Sequence, residues 1–490
     1  MPRVLSPFRL ASFARVVVAA TALAGLADGA AAQRPAPSTA PTKVPTTADA
    51  EAATAARLRQ DIAYLASDAL EGRLTGSAGA DSAAAFIARR FAALRLRPVV
   101  VSDDDAARCA TMRVSLAPRP HGPAAGAHGT AYPPCASYLQ RFTARSAALA
   151  HAGQLGDLAA QNVVALVEGM DPALRGQVVV VGAHYDHLGR ETMFAADPKA
   201  GREIHNGADD NASGTAAVLE LARRLQARPA RRSVLFVAFS GEELGLLGSA
   251  HFVNHSPVPV DSMAAMLNFD MVGRMRADSV IVYGVATARE LPGILDSANA
   301  AGPRLTVRGV GDGTGPSDHS SFYLQGLPVL HFFTDLHPDY HAATDDVERI
   351  NAPGTARVVA LAEGVLRRVA DRPARLTFQR ASTSQRMAGP DASGRPRPYL
   401  GSVPDMAGDE RVQGLRLQGV TPDSPADKAG LKAGDVVVEL DGKPVTDLYS
   451  YTDALYARAP GDVIAVTVLR GGPAGAERVT TRVTLGRRGE

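Results

Sequence analysis

Apolar runs and helically spaced apolar residues alternate along the middle of the chain. Four runs have the length of buried strands: VVVVGAH at 178–184, SVLFVAFS at 233–240, AAMLNFDMVG at 264–273 and LPVLHFFT at 327–334. Three stretches follow a helical spacing instead: 213–228, 242–253 and 352–369. Strands that alternate with helices of this length predict an α/β sandwich on a largely parallel sheet. Sites in such sheets lie beyond the carboxyl ends of the strands.

Two more helical patterns and an irregular segment precede this region. Helical spacing begins at Ala55 and recurs over 82–96, with the glycine-rich turn EGRLTGSAG between the two helices. Residues 102–135 are rich in Gly, Pro and Ala and predict a surface insertion. The insertion contains Cys109 and Cys135, and having only two cysteines excludes a cysteine-framed zinc site. An oxidising compartment would allow a disulfide between them, and the sequence does not decide whether one forms.

The N-terminus has the composition of an export signal. Arginines precede the apolar run VVVAATALAGLA, and Ala30-Ala31-Ala32 supplies an A-x-A cleavage site before Gln33. We expect residues 1–32 to be cleaved near Ala32, the protein to be exported to the periplasm or the medium, and no stable membrane anchor to remain. An uncleaved anchor is the alternative, although the apolar run is short for a membrane span. Residues 33–49 are rich in Pro and Thr and predict a flexible tether.

The charge balance argues against nucleic acid as a partner. Removal of residues 1–32 takes away three arginines and Asp28, so 52 basic and 50 acidic residues become 49 of each. Proteins that bind phosphate backbones carry a basic excess, which the mature chain lacks.

The composition divides the rest of the chain in two. Residues 375–397 read as a linker rich in Ser, Gly, Pro and Arg. We therefore expect a first domain at 50–374 and a second at 398–490, the second with short strands and a helix near Tyr449–Ala457.

Acidic and imidazole side chains occur at the ends of five predicted strands or loops: His184 and Asp186, Asp209 and Asp210, Glu242 and Glu243, Asp270, and His341. Imidazoles and carboxylates together suit zinc or a similar ion. A bridging carboxylate can hold two cations around one hydroxide, and a neighbouring carboxylate that binds no metal can then move the proton. Adjacent glutamates fit this division of roles.

These motifs carry a family resemblance. The order GAHYDHLG, NGADDNASGTAAVLELAR, SGEELGLLGS, NFDMVG and YHAATDD resembles the co-catalytic dizinc aminopeptidases, family 28 of the metallopeptidases. YLASDALEGRLTGSAG also resembles the N-terminal region of that family, so the resemblance spans roughly Leu58 to Val369. It implies a three-layer α/β sandwich around a mostly parallel mixed sheet, two Zn²⁺ per chain and a peptide substrate.

The resemblance also implies the roles of single residues. His184, Asp210 and Asp270 would bind one metal, and Asp210, Glu243 and His341 the other, so that Asp210 bridges them. Glu242 would be the general base, and Asp186 would orient His184 as carboxylates often do for metal-bound histidines. Taken singly, the same residues have ordinary alternatives, such as helix capping for Asp209 and Asp210.

Other polar residues are weaker candidates. In GPSDHSSF, Asp318 or His319 is a candidate substrate contact, although Ser317 could simply cap a helix. Tyr340 could line the cleft or pack. Asn211 or Ser213 could cap the helix that follows them. Six histidines match no ligand position and are interpreted as structural or surface residues: His187, His205, His251, His255, His331 and His337.

The C-terminal stretch VTPDSPADKAGLKAGDVVVELDGKPV resembles the PDZ domains of bacterial proteases. The resemblance places Tyr399, Leu400 and Gly401 in the loop that binds a peptide's terminal carboxylate. It implies a peptide C-terminus as a second partner, and the alternative is a module that only packs on the first domain.

The sequence thus predicts an exported metallo-aminopeptidase with a PDZ domain. Three alternatives stay open: a relative that trims C-terminal residues, a relative that cyclises N-terminal glutamine, and a catalytically silent scaffold.

Overall fold

The architecture is taken from a computed structural model of the chain. It describes residues 47–101, 136–144, 157–191, 195, 203–381, 398–404, 414–421, 423–445, 450–451, 454–455, 457–471 and 477–487. The predicted signal peptide, the 102–135 insertion with both cysteines, and most of the tether and linker lie outside these ranges. Within them, no helix combines the length and the hydropathy needed to cross a bilayer.

The first domain is built on a large mixed sheet. The strands of this domain are β1 Arg97–Pro98, β2 Val100–Val101, β3 Ala136–Ser137, β4 Leu139–Ala144, β5 Leu158–Val167, β6 Val178–His184, β7 Ser233–Phe239, β8 Met263–Phe269, β9 Ser279–Tyr283, β10 Thr306–Val310 and β11 Val329–Phe333. The strand order is β1-β5-β7-β6-β8-β11-β9-β10, with β4 also paired to β5 and with β2 and β3 forming a separate pair.

Parallel pairing at the centre of the sheet sets the position of the site. Strand β6 pairs in parallel with β7 and β8, and β8 pairs in parallel with β11. Antiparallel pairs occur where β5 joins β7 and where β9 joins β11. Because four parallel neighbours end at the same edge, the residues that follow them are brought together.

Helices cover both faces of this sheet. They are α1 Thr47–Leu65, α2 Ala78–Ala93, α3 Gly214–Ala227, α4 Leu247–Asn254, α5 Leu291–Ala301, α6 His319–Leu324 and α7 Ala352–Ala370. Shorter turns lie at Asp68–Arg73, Ala208–Ser213, Val260–Ser262 and Val347–Arg349.

Buried side chains form two cores, one on each face of the sheet. Val179 and Val181 of β6 pack with α1, α2, α3, α5 and α7 on one face, whereas Val178 and Val180 pack with Phe252 of α4 and its neighbours on the other. Successive strand residues point to opposite faces, and both faces are covered, so β6 reads as an uninterrupted apolar run. Each such buried side chain contributes about 1.5–3 kcal/mol. This confirms the predicted three-layer α/β sandwich.

Two element boundaries differ from the sequence prediction. The helix predicted from Glu242 begins only at Leu247, because Gly245 and Leu246 have φ of 110° and 62°, outside the helical region. The first helix begins at Thr47, inside the predicted tether. The start of the predicted linker also packs on the first domain, since Thr377 hydrogen-bonds Glu290 and the N–H of Ala381 donates to the Tyr323 hydroxyl.

The second domain is a small, mainly antiparallel structure. Its elements are β12 Pro398–Tyr399, β13 Ser402–Pro404, β14 Leu415–Val420, α8 Pro425–Lys428, β15 Val436–Leu440, β16 Lys443–Pro444, β17 Val463–Arg470, β18 Glu477–Thr484 and β19 Gly486–Arg487. Its own core includes Leu400, Leu417, Val437 and Val466. Residues 450–451 and 454–455 are helical, inside the helix predicted near Tyr449–Ala457.

Candidate metal centre

The carboxyl ends of the central strands deliver most of the predicted ligands. Strand β6 ends on His184, β7 is followed within four residues by Glu242 and Glu243, and Asp270 follows β8 directly. Asp210 lies in the turn before α3, and His341 lies in the loop after β11. The structure brings all six of these side chains together.

Asp210 lies between two imidazoles. Its Oδ1 is 3.4 Å from Nε2 of His184, and its Oδ2 is 3.2 Å from Nε2 of His341. Each oxygen of one carboxylate therefore faces a different histidine, which is the arrangement that a bridging ligand needs.

The remaining ligand candidates divide between these histidines. On one side, Nε2 of His184 is 3.3 Å from Asp270 Oδ1 and 3.9 Å from Glu242 Oε2. On the other side, Nε2 of His341 is 3.2 Å from Glu243 Oε2. The side chains of His341, Asp270 and Glu242 keep exposed fractions of 14%, 12% and 10%, so the cluster reaches the surface.

The donor set fits a divalent metal. Two groups have ligand atoms that all lie within 4.8 Å of one another: His184 with Glu242 and Asp270, and His184 with Asp210 and Glu243. Several carboxylates gathered away from water repel one another and are costly to bury without a cation. Imidazole nitrogens mixed with carboxylate oxygens suit zinc.

Electrostatics separate the two adjacent glutamates. Burial raises the pKa of the Glu242 carboxyl well above its ordinary value, and the charges of Glu243 and Asp270 act in the same direction although His184 opposes them. Burial would also raise the pKa of Glu243, but His341 and a hydrogen bond from His187 hold it well below its ordinary value. Glu243 thus favours the charged form that binds a cation, whereas Glu242 favours holding a proton.

Asp186 lies directly behind His184. Nδ1 of His184 is 3.2 Å from the main-chain carbonyl of Asp186 and 3.7 Å from its carboxylate. The carboxylate accepts hydrogen bonds from Thr75 Oγ1 at 2.8 Å and from the N–H of Glu242 at 3.2 Å. The main-chain carbonyl of Asp186 is placed to orient the His184 ring. The Asp186 carboxylate is placed to orient the backbone of Glu242.

Asp318 and His319 lie behind Asp270. The Ser317 hydroxyl donates to Asp270 Oδ2 at 2.8 Å, which fixes that carboxylate. Asp318 and His319 are almost fully buried, and burial raises the pKa of Asp318 to about 7. The His319 ring stacks on His331 at 4.5 Å, and burial lowers the pKa of His331 to about 4. Substrate contact by Asp318 or His319 stays a prediction.

Asp209 has a structural role. Its Oδ1 accepts hydrogen bonds from the N–H of Gly273 at 2.6 Å and from the hydroxyl of Ser213 at 2.9 Å, and its Oδ2 is 3.1 Å from His337 Nε2. Asn211 rather than Ser213 caps α3, because its Oδ1 accepts from the N–H of Gly214 at 2.9 Å.

Asp345 and Arg73 were not predicted as site residues from the sequence. Asp345 Oδ2 accepts from the N–H groups of Asp209 and Asp210 at 2.9 and 3.0 Å, so it holds the backbone of the predicted bridging residue. Burial and the charge of Asp209 raise the pKa of Asp345 to about 7. Fully buried Arg73 donates to the carbonyls of Tyr185, Asn206 and Gly207, which ties the turn after α1 to the site.

The remaining predicted residues are Tyr340, which lies beside the site, and Tyr399, Leu400 and Gly401 in the second domain. The half-buried Tyr340 stacks on His341 with ring centroids 3.9 Å apart and packs against a cluster that contains Met271. Tyr399 is the last residue of β12, and Leu400 and Gly401 form the turn to β13, with Leu400 buried in the core of the second domain. Binding of a peptide carboxylate by this loop stays a prediction.

Two segments of the chain match the models of known families. Residues 162–365 match the model of peptidase family M28, and residues 398–485 match the PDZ domain. Aminopeptidase YwaD from Bacillus subtilis strain 168 is 30% identical over 182 residues, which are 36% of this chain and 37% of that protein. A probable leucine aminopeptidase from Trichophyton verrucosum strain HKI 0517 is 30% identical over 203 residues, 39% of this chain and 51% of that protein. The chain therefore spans about a third to a half of the length of these curated relatives.

Solved structures give a further comparison. A Zn-dependent exopeptidase from Parabacteroides distasonis ATCC 8503 covers 65% of this chain and 98% of its own, with 17% sequence identity and a TM-score of 0.48.

The fold and the site define a three-layer α/β domain with a candidate metal centre at the carboxyl ends of its central strands. Residues 162–365 (the M28 segment) match the model of peptidase family M28, and residues 398–485 match the model of the PDZ domain. The motifs from GAHYDHLG to YHAATDD all lie inside the M28 segment.

Proposed function

We propose that the protein is an exported zinc aminopeptidase that holds two Zn²⁺ ions per chain and uses Glu242 as its general base. The observation that supports it best is the position of Asp210, whose two carboxylate oxygens face His184 and His341 at 3.4 and 3.2 Å. Asp270 and Glu243 complete the two sets of ligands, one on each side of Asp210.

Glu242 is suited to move the proton. When bound, two zinc ions would lower the pKa of a water shared between them and polarise the scissile carbonyl. The Glu242 carboxylate lies 3.9 Å from Nε2 of His184, and its main-chain N–H donates to Asp186, so it is held beside the ligand candidates. Burial raises its pKa, which makes it a stronger proton acceptor, and it could take a proton from a metal-bound water and pass it to the leaving amine.

The choice of an aminopeptidase rests on the relatives. The two curated relatives described above are named as an aminopeptidase and as a probable leucine aminopeptidase. We expect the substrate to be a peptide with a free N-terminus, and the PDZ domain to bind a peptide C-terminus, with no nucleic acid as partner. Export follows from the signal-like residues 1–32, and the mature chain would begin at Gln33.

A substrate panel tests the proposed activity. The full-length mature protein should hydrolyse aminoacyl amides and unblocked peptides from the N-terminus, and should leave N-acetylated versions intact. A chelator should abolish turnover and added Zn²⁺ should restore it.

Other results on the same panel would select an alternative. Release of C-terminal residues from N-acetylated peptides would indicate a carboxypeptidase, and ammonia release from N-terminal glutamine without hydrolysis would indicate a cyclase. Zinc-loaded protein that leaves every substrate unchanged would favour a silent scaffold.

A further inference from the structure

His187 contacts the metal centre although no motif assigns it a role. It lies three residues after His184, which is the last residue of β6, and its side chain is fully buried. Its Nδ1 is 2.7 Å from Glu243 Oε1, while the other oxygen of Glu243 lies 3.2 Å from Nε2 of His341. The two oxygens of this carboxylate therefore face different partners.

The 2.7 Å contact is a charge-assisted hydrogen bond. Ligand atoms that surround the two predicted metal positions lie 3.2–3.4 Å apart, as in the contacts that Asp210 makes with His184 and His341. The His187–Glu243 distance is shorter and falls in the range of an N–H···O⁻ bond. Nδ1 must carry the proton to donate, so His187 acts here as a donor and not as a metal ligand.

The ring of His187 is held in place by its surroundings. Its main-chain N–H is 3.3 Å from the carbonyl of Arg73. Gly207 has a φ of +56°, and a Cβ there would lie 2.5 Å from the His187 ring, so only glycine lets that loop close over the imidazole. The edge of the ring meets His341, with centroids 5.7 Å apart. The imidazole has little freedom to turn its donor away from Glu243.

We infer that His187 is a positioning residue of the metal centre, which holds Glu243 Oε1 by a hydrogen bond and leaves Oε2 as the oxygen that binds the metal beside His341. The inference rests on the proposed zinc site. Carboxylate ligands in metal sites are commonly fixed by hydrogen bonds of this kind, and loss of such a partner typically weakens metal binding.

Two substitutions separate the hydrogen bond from the shape of the ring. In His187→Asn, the amide Nδ2 stands as many bonds from Cβ as the imidazole Nδ1 does, so it can still donate to Glu243. His187→Leu fills similar space without a donor. His251→Leu serves as the matched control, because His251 lies on α4, where it stacks on Phe142 and His255.

The experiment measures zinc affinity by competition with a chelating dye in the full-length mature protein, together with the absorption spectrum after loading with Co²⁺. His187→Leu should weaken binding of one of the two zinc ions by about 10–100-fold and change the Co²⁺ spectrum. His187→Asn should stay within about 3-fold of the wild type, since it keeps the donor. Melting curves of the metal-free variants show that each one folds.

Unchanged zinc affinity in His187→Leu would overturn the inference, and so would a loss in His187→Asn as large as in His187→Leu. A wild-type protein that binds no zinc would instead contradict the proposed function, so the two failures are distinguishable.

Discussion

At the scale of single residues, neighbours in the sequence take different roles in the centre. Asp210 faces two histidines, whereas Asp209 hydrogen-bonds Ser213, Gly273 and His337. Glu243 lies beside His341 and Glu242 beside His184. Adjacent side chains diverge from the backbone, so one residue of each pair can face the centre while the other faces elsewhere.

The pair of glutamates gives a direct prediction. Glu242→Gln should retain bound zinc but lose about 10²–10⁴-fold in kcat, because an amide cannot accept the proton. The adjacent variant Glu243→Gln should lose zinc instead. Metal analysis and steady-state kinetics on both proteins measure these effects. Turnover like that of the wild type in Glu242→Gln, or equal loss of zinc in both variants, would contradict the assigned roles.

The family resemblance pointed to His184, Asp210 and Glu243 as ligand candidates, and the structure brings them together. Asp345 and His187 stand in the same motifs, YHAATDD and GAHYDHLG, but their contacts with these residues were not predicted. Asp345 supports Asp210 across 135 positions of the chain, and nothing in the spacing between them signals that contact. His187 had one usable signal, its place three residues after His184, the last residue of β6.

At the scale of elements, the register of the parallel strands places the ligand candidates at one edge of the sheet. His184 at the end of β6 is level with Phe239 of β7, which is followed by the loop that holds Glu242. The apolar runs predicted these buried strands because both faces are covered. Strands β9 and β10 were not predicted, and four of the five residues of β10 are exposed or half-buried. Short and partly exposed strands give a weak pattern.

Buried Glu220 of α3 links this helix to α1. Its carboxylate accepts hydrogen bonds from Arg57 of α1 at 2.9 and 3.0 Å and from Arg223 and Arg224 at 2.6–2.9 Å. Burial alone would raise its pKa, but the arginines lower it from 4.5 to about 2. Because the pKa in the folded state is depressed, the stabilisation is complete above pH 4.5 and is lost as the pH falls towards about 2.

The Glu220→Gln variant tests this link between helices. Its free energy of unfolding at pH 7 should be lower by about 1–3 kcal/mol, and the difference should shrink as the pH falls below 4.5. Urea unfolding between pH 3 and 7 measures both effects, with Glu51→Gln, at an exposed position of α1, as the control. A stability equal to that of the wild type at pH 7, or a difference that persists unchanged at pH 3, would contradict the assignment.

At the scale of the whole molecule, the chain joins an M28 segment to a PDZ domain. The sequence separated the two domains because composition changes sharply between them. It did not show that residues 375–381 pack on the first domain, since the contacts of Thr377 and Ala381 are made to distant residues. The PDZ domain has a core of its own, and we expect the segment Tyr399–Gly401 to bind a partner.

Native mass spectrometry of the exported, zinc-replete protein tests the central claim most directly, because one spectrum reports both the length of the mature chain and its bound metal. We predict the mass of a chain that begins at Gln33 plus two zinc ions, both removed by a chelator. A chain that carries no zinc under these conditions would contradict the metal centre and the hydrolytic function proposed for it.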